Sequence, residues 1–116
     1  MILAEEIVKE LVRAEPDQAV YSLRDTQITG KLDLKHRTVR VAIDIQGCEF
    51  LGEVDFRYCE FKHAVNLSEC TFRKDLNSGD ETESHTVYRK DLILNKAVFE
   101  GDVRFNGCRV ESSAYL

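Results

Sequence analysis

CEFLGEVDFRYCEFKHAVNLSECTF, residues 48–72, repeats on itself. Cysteine recurs at Cys48, Cys59 and Cys70, and an aromatic follows two places on each time, at Phe50, Phe61 and Phe72. Val54 with Phe56 and Val65 with Leu67 fall halfway between. Two residues is the side-chain period of a strand, so each pair looks to one side of a very short extended segment. On a helix, Cys48 and Phe50 would stand about 200° apart and share no buried stripe. Phe, Val, Cys and Thr are also middling helix formers. A sandwich of short strands has no reason to repeat residue identities in register. A solenoid does, because each coil stacks like side chains on like.

The stretches CEF, VDF, CEF, VNL and CTF, and later AVF, VRF and CRV, resemble the pentapeptide-repeat family, in which a small residue and a Leu or Phe two places on face inward. The resemblance spans residues 21–110 and is most specific over 43–72 and 92–110. It implies an all-β fold: a right-handed quadrilateral β-helix whose faces of five and six residues alternate. A coil is then 22 residues, and the domain holds about three to four coils stacked at the ~4.8 Å spacing of hydrogen-bonded strands. One column would hold Ile28, Phe50 and Phe72, a second Leu34 and Phe56, and a third Leu23, Ile45 and Leu67. Phe61 belongs to the fourth side.

After Phe72 the rhythm breaks, and it resumes at Leu92 and Leu94. The string RKDL occurs twice, at 73–76 and 89–92, a 16-residue offset that suggests 16 extra residues leaving and re-entering at one corner. That offset would put Leu94 under Phe56, Phe99 under Phe61, Phe105 under Leu67 and Val110 under Phe72. The small inward positions are then Cys48, Val54, Cys59, Val65, Cys70, Leu92, Ala97, Val103 and Cys108, with Cys108 in the column of Cys48 and Cys70. Residues 77–88 become a surface loop, with Asp80, Glu81, Glu83, His85 and Tyr88 as candidate interaction residues, since loops on rigid scaffolds often carry function.

Residues 1–17 form an N-terminal cap and 18–116 the solenoid. Leu3, Ile7, Leu11 and Ala14 follow helical spacing, with Val8 and Val12 beside them, and Pro16 ends the helix at about residue 14 or 15. A helix over 2–15 would cover the first coil, as an open solenoid edge demands. Arg37 falls in an inward slot, where an unpaired guanidinium is costly; the face is expected to slip so that Val39 and Val41 point in. ESSAYL offers no comparable cover at the other end, so the last coil is expected to be an open edge, met by a second copy or by further chain.

The chain has 116 residues and a net charge of −5. Residues 1–17 and 79–88 each carry −3, leaving the repeat body at +1, which argues against a strongly basic nucleic-acid face. No apolar run approaches the ~20 residues of a membrane helix, and no secretory signal opens the chain; a cytoplasmic protein without membrane or nucleic-acid partners is expected. The four cysteines lack a CxxC pair and keep step with the repeat, so they read as reduced core residues, not zinc ligands. His36, His63 and His85 sit in polar, corner-like contexts. No GxSxG, phosphate-cradling glycine loop or HExxH occurs.

No enzyme and no cofactor is expected. The expected function is a non-catalytic scaffold binding another protein, with homodimerisation through the C-terminal coil, 99–116, as the family resemblance also implies. The alternatives are a DNA-mimicking modulator of DNA gyrase, known among family members, and a purely structural domain of a larger protein. The resemblance points to a bacterial, notably cyanobacterial, source.

Overall fold

A computed structural model of the chain describes residues 1–13, 20–79 and 86–116. The chain winds as a parallel β-solenoid with one short helix at its start. β1 (Ile2–Leu3) leads into α1 (Ala4–Arg13). The first coil carries β2 (Val20–Arg24), β3 (Gln27–Thr29), β4 (Leu32–Asp33) and β5 (Thr38–Val39). The second carries β6 (Ala42–Gln46), β7 (Glu49–Phe50), β8 (Val54–Asp55) and β9 (Glu60–Phe61). The third carries β10 (Val65–Asn66), β11 (Thr71–Phe72), β12 (Leu76–Asn77) and β13 (Val87–Tyr88). In the fourth come β14 (Leu92–Ile93), β15 (Val98–Phe99), β16 (Val103–Arg104) and β17 (Arg109–Val110), and β18 (Ala114–Tyr115) begins a fifth.

Strands of successive coils pair in parallel to form four sheets, the four sides of the solenoid. The first face is β2, β6, β10, β14 and β18; the second is β1, β3, β7, β11 and β15. The third is β4, β8, β12 and β16, and the fourth β5, β9, β13 and β17. On the second face Ile2, Ile28, Phe50, Phe72 and Phe99 form one column. Phe50 and Phe72 stack with ring centroids 4.8 Å apart, and Phe72 and Phe99 at 5.1 Å. Leu23 pairs with Ile45, and Leu67 follows in that column. Burying each such side chain contributes roughly 1.5–3 kcal/mol, set against the entropy of ordering the chain.

Two of the four corners turn repeatedly through a residue with positive φ, and a third does so once among the described residues, at Gly30 (φ 89°). At the first stand Asp25, Gly47, Glu69 and Lys96 (φ 52°, 66°, 59° and 59°); at the second His36, Tyr58 and Gly107 (φ 63°, 57° and 71°). Three of these turns, at His36, Tyr58 and Glu69, are fixed from outside by a polar side chain three residues earlier. Asp33 Oδ1 accepts from the Lys35 amide at 3.1 Å, Asp55 Oδ1 from Arg57 at 3.1 Å and Asn66 Oδ1 from Ser68 at 3.0 Å. Gly52 meets a different demand: a Cβ there would lie 2.4 Å from the carbonyl oxygen of Gly30 on the coil below.

The register beyond Phe72 differs from the sequence expectation. The chain does not leave the solenoid there: Leu76 pairs with Val54 and Asn77 with Asp55. Ser78 occupies the level under which Phe56 lies, and Tyr88 pairs with Phe61. The chain from Phe61 to Tyr88 is longer by five positions than the chain from Phe50 to Phe72, which closes one regular coil. The insertion is therefore five residues long and not 16. Accordingly Leu94 stacks over Leu67, not Phe56; Phe99 over Phe72, not Phe61; Phe105 follows Ser78, not Leu67; Val110 pairs with Tyr88, not Phe72. Cys108 stands in the column of Cys59 and Thr86, not that of Cys48 and Cys70, where Ala97 continues. The motif recurs every half coil, as Cys48, Cys59 and Cys70 show, so the offset between the two RKDL strings is half a coil plus the five-residue insertion.

The cap also differs in detail. Leu3 lies in β1 and is exposed, while Ala4, Ile7 and Leu11 are the buried residues of the helical stripe. β1 adds one rung to the second face beside Ile28, and α1 lies against β4 and β5. Ala14 and Pro16 lie outside the described residues. Val39 and Val41 are buried and Arg37 is exposed, yet the register does not slip: Val39 pairs with Phe61.

Candidate functional site

The described residues of the segment expected to be an interaction loop, 77–79 and 86–88, belong to the wall and core of the solenoid. Asp80, Glu81, Glu83 and His85 lie outside the described residues. Tyr88 is buried at 1% exposure, its ring stacked on Phe61 with centroids 4.8 Å apart. Its hydroxyl shares a 2.8 Å hydrogen bond with Ser78 Oγ, also fully buried. Burial pushes the phenol well above its ordinary pKa, against the smaller opposing effect of that bond. Thr86 Oγ1 donates to the Phe56 carbonyl at 2.9 Å and accepts from the Tyr58 amide at 3.0 Å. Ser78 and Tyr88 satisfy each other, and Thr86 satisfies the corner backbone. They anchor the two ends of the five-residue insertion inside the solenoid. The periodic signal missed them because Ser78 and Thr86 stand where Phe56 and Cys59 stand one coil earlier.

The cysteines are free thiols, with Cys48, Cys59 and Cys70 buried and Cys108 half-buried. The Cys70 thiol donates to the Ile45 carbonyl at 3.2 Å, and burial pushes its pKa up to about 12. Burial also raises the Cys59 pKa steeply. A thiol held protonated is a poor nucleophile and a poor metal ligand. Among the described residues no group of three His, Cys, Asp or Glu side chains is placed to hold a metal ion. No described helix is long and apolar enough to cross a membrane.

Outward side chains are tied together across coils. Arg73 lies between Glu49 of the coil before and Glu100 of the coil after, bonded to both. Arg89 does the same on the fourth face, reaching Glu60 and Glu111 at 2.8 Å each. These are the arginines of the two RKDL strings; each follows an inward aromatic by one residue, on different faces. Among the described residues Asp55 is the one outward carboxylate that is buried (1% exposed), clasped by Arg57 at 2.8 and 3.0 Å with Lys31 at 3.7 Å. Burial opposes its ionisation, but the Arg57 bonds prevail and its pKa is lowered. His36 is exposed and its ring stacks on Tyr58, centroids 4.9 Å apart; His63 is exposed.

The two ends are treated differently. Beneath the first coil, β1 and α1 seal the core. At the last coil Phe99 and Val103 are 36% and 37% exposed, although they stand in columns whose members one coil below, Phe72 and Leu76, are 1% exposed. Val98, Tyr115 and Leu116 are exposed beside them, and Phe105, Cys108 and Val110 are only partly buried. No family model, curated protein or solved structure matches the chain.

Proposed function

We propose that the chain is a pentapeptide-repeat module that acts without catalysis, as a scaffold binding another protein, and that it self-associates through its last coil. The small–x–aromatic columns of the four-sided solenoid support the family, and with it a bacterial, cytoplasmic setting. The exposed end coil carries the functional reading: the column that is sealed in every earlier coil at Ile28, Phe50 and Phe72 lies open at Phe99, with Val98, Val103, Tyr115 and Leu116 exposed as well. An apolar, hydrogen-bonding edge of this kind is covered by a like edge at least cost. The outer faces supply the other half of the role, since ion-pair ladders such as Glu49–Arg73–Glu100 hold their side chains in fixed positions.

Sedimentation equilibrium at tens of micromolar tests self-association: a dimer is expected for the native chain and a monomer for Phe99→Glu. A native chain that stays monomeric overturns it. For the scaffold role, the immobilised chain should retain a defined, saturable partner from extracts of its source cell, displaced by free chain. Retention of none would overturn that half.

A further inference from the structure

The +1 of the repeat body is not spread evenly. On the fourth face and the corner that trails it (residues 37–41, 59–63, 86–90 and 108–112), Arg37, Arg40, Lys62, Arg89, Lys90 and Arg109 face two acids, Glu60 and Glu111, giving +4. The other three faces together sum to −3, and the whole chain to −5. The two acids are already engaged: Arg89 holds both, and Arg109 lies 3.0 Å from Glu111.

What remains is a line of cations. Arg40, Lys62 and Arg89 occupy one level of successive coils, with His63 and Lys90 on the next level along. Arg40, Lys62 and Lys90 are exposed, and none of them, nor Arg37, has an ion pair among the described residues. On the other faces Arg24, Arg57, Arg73 and Arg104 are each paired with a carboxylate. At the cap end Lys9 joins Arg37 around a notch floored by Val8 and Val12.

We propose that the fourth face docks an acidic segment of another protein; the inference rests on the scaffold reading and names the chemistry of its partner. The face spans four rungs, about 14 Å at the ~4.8 Å strand spacing. A nucleic-acid strand would overrun it and lie along surfaces of net negative charge, within the ~10 Å over which charges act at moderate salt. A short acidic stretch of a protein ends where the face ends. The rigid rungs pre-set the positions of the cations, so the complementarity acts on encounter rate and specificity. A mimic of duplex DNA would need the opposite sign here.

The test is fluorescence anisotropy with a labelled oligoglutamate peptide, and separately a labelled single-stranded oligonucleotide, against the full chain. The peptide is expected to bind and to weaken by roughly tenfold or more when salt rises well above physiological strength. Combined Arg40→Glu, Lys62→Glu and Lys90→Glu should abolish binding, with circular dichroism and melting temperature unchanged. If that variant does not fold, the triple Gln variant takes its place, with at least a tenfold loss expected. Lys74→Glu with Lys96→Glu, on the second face, should bind as the parent does. No peptide binding, equal binding by the triple variant, or tighter binding of the oligonucleotide through the same residues overturns the proposal. A partner captured from extract equally well by parent and triple variant overturns this face alone; capture of none overturns the scaffold reading itself.

Discussion

The ring of Tyr88 lies flat on that of Phe61, centroids 4.8 Å apart and planes within 6° of parallel. That single contact makes residue 88 a core position of the third coil, where a surface loop was expected. Tyr88→Ala should therefore cost about 3–5 kcal/mol, the range for emptying a buried aromatic site. Urea denaturation measures it. A loop residue would shift the midpoint by less than about 0.5 kcal/mol, and such a result would return Tyr88 to the surface. Phe61→Asp, which puts a charge between Val39 and Tyr88, should abolish cooperative unfolding.

The same pairing measures the insertion. Removing residues 80–84 makes the interval from Phe61 to Tyr88 equal to that from Phe50 to Phe72, a regular coil. Loop length bears only weakly on stability, so the shortened chain should fold with a melting temperature within a few degrees of the parent. Removing 77–88 instead should unfold it, because Ser78, Thr86 and Tyr88 are lost from the core. Equal behaviour of the two deletions would contradict the register.

How far the molecule could be read from its sequence follows from which columns repeat. The second-face column through Phe50 and Phe72 and the alternation of small and large inward residues were legible, because stacking selects like for like. The half-coil repeat hid the true register. Leu94 fits over Phe56 as well as over Leu67 by residue type, since the pattern recurs every half coil, and only backbone pairing decides. Ser78 and Thr86 broke the pattern by being polar and buried, so they looked like loop. The cationic face was invisible for a different reason: Arg40, Lys62 and Lys90 lie a full coil or more apart along the chain, and charge summed along the sequence cancels what the fold gathers on one side.

Gly52 is set by proximity rather than by its backbone angle. Gly52→Ala would drive a Cβ to 2.4 Å from the Gly30 carbonyl oxygen, and backbone on both sides cannot give way cheaply. A loss of about 1–3 kcal/mol is expected, as for other overpacked sites. Thermal melting would show it. A neutral or stabilising effect would mean that the second and first coils are further apart at this corner.

Asp55 makes the acid side of the stability curve predictable in sign. Its folded pKa is lowered, chiefly by Arg57 against the opposing effect of burial. The stabilisation is therefore present above the unfolded value near 3.9 and is lost as pH falls through the depressed folded value. Asp44, Glu49 and Glu111 shift the same way through Arg24, Gln27 with Arg73, and Arg89 respectively. Stability should be flat at neutral pH and fall below about pH 5. Asp55→Asn should cost about 1–2 kcal/mol at pH 7 and make the acid limb shallower. A parallel acid limb in the variant would remove Asp55 from the account.

Cys108 reports on the open end. It is the half-buried thiol of the last coil, while Cys48, Cys59 and Cys70 are sealed and held protonated. At mildly alkaline pH a thiol reagent should modify one cysteine in the native chain and four in denaturant. Burial raises the Cys108 pKa too, against a weak contact from Ser78, so its reaction should be slow and speed up as pH rises. If a second copy seats on the last coil, the rate per chain must fall as protein concentration rises, in step with the dimer seen by sedimentation. Phe99→Glu should remove that dependence while leaving the count of reactive thiols at one. A rate indifferent to concentration in a chain that does dimerise would place the interface elsewhere than on the column of Phe99.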